Sequence, residues 1–145
     1  MALTLKQKKN VGQVRLHWCF LLGPNDRPIG VFPNRRLPTS EELRAMAFDK
    51  LKEHGYLVKR VKPADANCII RVYNNHYYEH NQQKYCFIGA TCYTKAGKAN
   101  KWVTYDSDDQ EIPLDYAMHE ITQILDDDKS AKIETEFFDT YVRLI

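Results

Sequence analysis

Hydrophobic and polar residues alternate from Val14 to Leu22. Leu16, Trp18, Phe20 and Leu22 share one face, and Arg15, His17, Cys19 and Leu21 share the other. A period of two over nine residues predicts a strand. Gly23-Pro-Asn-Asp26 is turn chemistry, so Pro28–Phe32 reads as a short returning edge strand, where Pro is tolerated. The period then changes. Leu43, Met46, Ala47 and Leu51 fall on one helical stripe. Thr39 and Glu42 make a capping box ahead of it, and Gly55 supplies the stop.

Tyr56 to Val61 and Cys68 to Tyr73 read as strands on either side of a Pro63-Ala-Asp-Ala66 connector. The polar, Tyr-rich stretch Asn74–Gln83 and the apolar run Tyr85–Tyr93 predict a long hairpin turning near His80 to Gln83. Lys95–Asn100 is a second turn, and Lys101–Tyr105 continues the meander. A second helix is expected to begin near Pro113, with Leu114, Ala117, Met118, Ile121, Ile124 and Leu125 as its apolar stripe. Ile133–Ile145, with Phe137, Tyr141 and Val142, is read as a strand. The pattern predicts one α+β domain over residues 1–145: a largely antiparallel sheet of five or six strands packed against two helices, after a flexible basic segment at 1–12.

The helix ending in Gly55-Tyr56, the Pro63-Ala-Asp-Ala66 lead into the apolar strand Cys68–Tyr73, the meander and the final amphipathic helix occur in an order that resembles small single-domain bacterial envelope lipoproteins. That resemblance implies an accessory or binding role and assigns no catalytic residue. The chain departs from it in having no leader and no lipid-acceptor cysteine at its start. Lys6, Lys8 and Lys9 look like a basic leader, but Gln13, Arg15 and His17 interrupt the apolar stretch after them. A cytoplasmic protein is then expected, or an envelope protein if the chain is a trimmed form.

Composition adds little beyond a globular class, with 43% hydrophobic and 28% charged residues over 145. No apolar run reaches the roughly 18–20 residues of a membrane span. Charge is more informative. Through Lys62 there are 13 Lys and Arg against five Asp and Glu, and after it eight against 14, so a net +2 hides a basic first half. Lys6, Lys8, Lys9, Arg15, Arg27, Arg35, Arg36, Lys59, Arg60 and Lys62 are the residues a phosphate-binding face would use. However, Lys59–Lys62 alternates like a solvated edge strand, and a pI near 8.3 is modest for a nucleic-acid binder.

The sharpest chemical motif is His76-Tyr-Tyr-Glu-His80, literally the H-x-x-E-H of inverted-motif zinc proteases. On a helix the two histidines would share a metal, with Glu79 activating its water. On a strand they stand about 13 Å apart and cannot share one. The flanking Val72-Tyr-Asn-Asn75 and Asn81-Gln-Gln83 favour a hairpin over a helix. Cys19, Cys68, Cys86 and Cys92 lack CxxC spacing and read as reduced structural thiols. A hairpin centred on His80 would set Cys68 opposite Cys92, whereas one centred between Asn81 and Gln82 would not. His17 with Cys19 suggests a nucleophile pair but has no readable orienting group. Asp106, Asp108, Asp109 and Glu111 lack the glycine and length of a calcium loop.

Beyond these motifs there is an excess of tyrosine, nine in all, of which Tyr73, Tyr77, Tyr78, Tyr85 and Tyr93 cluster with Asn and His on the expected hairpin. The reading that fits best is a non-enzymatic protein-binding or accessory module with no cofactor. Its contact residues are Tyr73, Asn75, His76, Tyr77, Tyr78 and His80, and its partner is another protein or a second copy. A zinc-dependent hydrolase using His76, Glu79 and His80 is the alternative, and nucleic-acid binding by the basic first half comes third.

Overall fold

The computed structural model describes residues 11–23, 25, 37–80, 82–96, 98–105, 110–114, 132–133 and 136–145. A 3-10 turn at Val11–Gln13 leads into β1 (Arg15–Leu21). The single helix among the described residues, α1 (Ser40–Glu53), comes next. After it run β2 (Val58–Arg60), β3 (Cys68–His80), β4 (Gln83–Ala96), β5 (Lys101–Tyr105), β6 (Glu111–Pro113), β7 (Lys132–Ile133) and β8 (Phe137–Leu144). This is a single α+β domain with an eight-strand antiparallel sheet and one helix packed against it.

The ends of α1 are set by local chemistry. The Thr39 hydroxyl accepts from the Glu42 N–H at 3.2 Å, and the Glu42 carboxylate accepts from the Thr39 N–H at 3.4 Å. At the other end Gly55 takes φ +91°, where a Cβ would be strained. Its N–H bonds to the Lys52 carbonyl, and the Tyr56 N–H to that of Leu51. This double bond pattern is the Schellman stop. Between the caps, Leu43, Ala47 and Leu51 are fully buried against the sheet. Each leucine contributes about 2–3 kcal/mol of burial.

β3 and β4 form the spine. The sheet runs β2-β8-β3-β4-β5-β6, while β1 pairs with β4, and β7 with β3, nearer the hairpin loop. On the α1 side the core is built from Leu16, Phe20, Cys68, Ile70, Val72, Cys86, Ile88, Ala90, Cys92, Val142 and Leu144. The opposite face is also closed at its centre, where Ile69, Tyr73, Phe87 and Tyr93 are all buried. A strand covered on both sides loses its alternation, and Cys86 to Tyr93 is buried without a break for that reason.

Three expectations change. The strand count rises from five or six to eight, because residues 101–113 form two strands and the C-terminal strand divides into β7 and β8. Pro113 does not open a helix. It closes β6 opposite Val103, and residues 115–125 of the expected second helix lie outside the described residues. Finally, Tyr56 ends the helix stop, leaving β2 only three residues. The expected edge strand at 28–32 lies outside the described residues, as do residues 1–10 of the basic start, whereas Val11 and Gly12 are buried.

Candidate functional site

The expected hairpin is present. His80 pairs with Gln83 across a two-residue loop, in which Gln82 takes a left-handed φ of 64°. Residues 76–80 are extended and hydrogen-bonded to β4, so the helix that the zinc hydrolase requires does not form. At about 3.3 Å per residue, two histidines four apart on a strand cannot close on one ion. Among the described residues no group of three His, Cys, Asp or Glu side chains is placed to hold a metal.

A bulge divides the hairpin in two. Tyr73 pairs with Gly89 and His76 with Phe87, so Asn74 and Asn75 together oppose Ile88. One extra residue on β3 twists and bends the strand there. The bulge is anchored: Asn74 is buried, and its amide donates to the Ser40 hydroxyl at 2.6 Å, on the first residue of α1.

Below the bulge the expected contact residue Tyr73 proves to be core, 1% exposed. Its ring stands edge-on to Phe137 at 5.2 Å and tilted against Phe87 at 5.6 Å. Its hydroxyl lies 3.2 Å from that of Tyr93. Burial first, and then the neighbouring Tyr93, push the Tyr73 phenol well above its ordinary range. It cannot meet a partner without unpacking the sheet, so it leaves the contact set.

Beyond the bulge the surface opens. Tyr77 is 47% exposed, and the Lys84 ammonium sits 5.6 Å from its ring centroid, a cation–π contact. Glu79, on the same face, and Gln82, in the loop, are exposed, while Gln83 and the half-buried Tyr85 belong to the other face. The backbones of Asn75, His76, Tyr78 and His80 belong to this same arm, while their side chains lie outside the described residues.

Sequence reasoning missed Arg71 and Asp139. They stand directly opposite each other on β3 and β8. The guanidinium makes a bidentate pair with the carboxylate, Nε–Oδ1 2.8 Å and Nη2–Oδ2 2.9 Å, and its third nitrogen donates to the Leu114 carbonyl at 3.1 Å. It also lies 5.1 Å from the Phe137 ring centroid. The signal was the one cation in the apolar stretch Cys68–Tyr73 and the one anion of β8. With every nitrogen engaged, this pair is a clamp and not a ligand site.

Cys68, Cys86 and Cys92 are free and buried, as expected; the side chains of Cys19 and His17 lie outside the described residues. With the loop at Asn81–Gln82 and the register shifted by one at the bulge, Cys68 faces Thr94 and Ile70 faces Cys92. The two thiols are diagonal neighbours. A hydrogen bond between its protonated thiol and Cys68, and then burial, push the Cys92 thiol well above its usual range. A protonated, buried thiol is a poor nucleophile.

No family model, curated protein or solved structure matches the chain.

Proposed function

We propose that this protein is a non-enzymatic binding module that engages another protein, or a second copy of itself, through the outer half of the β3–β4 hairpin. The observation that carries the proposal is the contrast across the bulge. Tyr73 and Tyr93 below it are buried, whereas Tyr77 above it is 47% exposed. A large ring held out on a hydrogen-bonded strand supplies contact area with little further loss of entropy. Lys84 and Glu79 on the same face, with Gln82 in the loop, give the mixed polar rim that surrounds such anchors. An envelope-associated accessory role, as the lipoprotein resemblance implies, is part of the same proposal.

The test compares wild type with Tyr77→Ala and Lys84→Glu, first in sedimentation velocity and then as immobilised bait. The proposal expects self-association, or a specifically retained protein, that weakens at least tenfold in both variants, while thermal unfolding changes little. Equal behaviour of all three chains would refute it.

A further inference from the structure

The strand order gathers cations that are far apart in the sequence. β8 lies between β2 and β3, so Arg143 is set directly opposite Lys59. On the same face, the one turned away from α1, Lys95 of β4 is directly opposite Trp102 of β5. Lys59, Arg143 and Lys95 are exposed, and Trp102 is half-buried with the Lys95 ammonium 5.1 Å from its ring centroid. Four strand steps of about 4.8 Å put this row at about 19 Å from end to end. Arg60, Lys62, Lys98 and Lys101 rim the same end of the sheet, all exposed or half-exposed. Among the described residues none of these seven cations has an ion-pair partner. Arg143 donates to the Asp65 backbone carbonyl, at 3.2 Å.

Like charges directly opposite on paired strands destabilise a sheet. Lysine on an edge strand protects against aggregation, and that accounts for β2. It does not account for Arg143 or Lys95, which lie on interior strands. We infer that the end of the sheet bearing Lys59, Arg143, Lys95 and Trp102 is a binding surface for single-stranded nucleic acid. The cations track successive phosphates, and the indole offers a stacking face. Leu57 and Ile145, 68% and 59% exposed beside this row, are too few to anchor a lipid surface.

The experiment reads the fluorescence anisotropy of a labelled uridine dodecamer titrated with the full chain, alongside sedimentation with phosphatidylserine vesicles. Three phosphate contacts predict that raising salt from about 20 to about 200 mM costs about 100-fold in affinity. Lys59→Gln and Lys95→Gln, whose side chains make no hydrogen bond among the described residues, are each expected to flatten that salt slope. Trp102→Leu weakens binding without changing the slope. Lys52→Gln, on α1 across the sheet, leaves both unchanged. The inference is overturned by absence of binding at low salt, by an equal loss in Lys52→Gln, or by vesicle binding without oligonucleotide binding.

Discussion

Gly12 is required for a reason unrelated to turns. A Cβ built on it would stand 2.1 Å from the Tyr105 backbone nitrogen and 2.4 Å from the Thr104 hydroxyl. Both belong to β5, against which the 3-10 turn packs. A rigid strand backbone cannot step aside as a flexible side chain would. Gly12→Ala is therefore expected to destabilise the fold by about 1–3 kcal/mol, the cost of overpacking, measured by urea denaturation. Tyr56 makes a second residue-scale prediction. Burial, with Cys68 nearby, raises its phenol from 10.0 to about 12. The neutral form is thus favoured in the folded chain, so its contribution is fully present below pH 10 and is lost as pH climbs toward 12. Denaturation midpoints measured over that range should fall, and less steeply in Tyr56→Phe.

At the scale of elements, the bulge and the Arg71–Asp139 clamp determine what the long hairpin can do. The clamp ties β8 to β3 and engages the Leu114 carbonyl after β6. Both side chains are mostly buried, with 16% and 25% exposed. Losing either partner strands the other in a poorly hydrated place, so Arg71→Ala and Asp139→Ala should each cost about 2–3 kcal/mol. The double variant should cost clearly less than their sum, which a double-mutant cycle reads directly. Strict additivity would mean that the pair contributes nothing as a pair.

These elements also show what the chain made legible. The capping box at Thr39 and the stop at Gly55 rest on contacts three to five residues apart, and both were readable. So was the hairpin, because Asn74–Gln83 and Tyr85–Tyr93 differ sharply in polarity. The bulge was not, since one extra residue in β3 leaves no mark on composition. Tyr73 illustrates the same limit. Its burial depends on Phe137, 64 positions away, reaching it across the β3–β8 ladder. Alternation within one strand says that a ring faces one side, but not whether that side is covered.

At the scale of the whole molecule, the described residues give the sheet a buried centre and exposed side chains at both ends. The centre is buried on both faces and holds the clamp, the paired phenols and the free thiols. One end carries the cation row, assembled from both halves of the sequence because β8 inserts beside β2. Charge counted by halves of the chain therefore misplaces the basic surface: Arg143, Lys95, Lys98 and Lys101 all come from the nominally acidic half. The other end is the outer hairpin, where Tyr77 stands out beyond the bulge. Among the described residues no helix is long and apolar enough to cross a membrane.

The hairpin claim is tested most directly by replacing Tyr77 with the photo-crosslinking residue p-benzoylphenylalanine, expressed in the native host. The same residue at Asp49, exposed on α1, serves as the control. Irradiation is expected to give a discrete covalent product from position 77, to a second copy or another protein, and none from position 49. No product at 77, or the same products from both positions, would contradict the account.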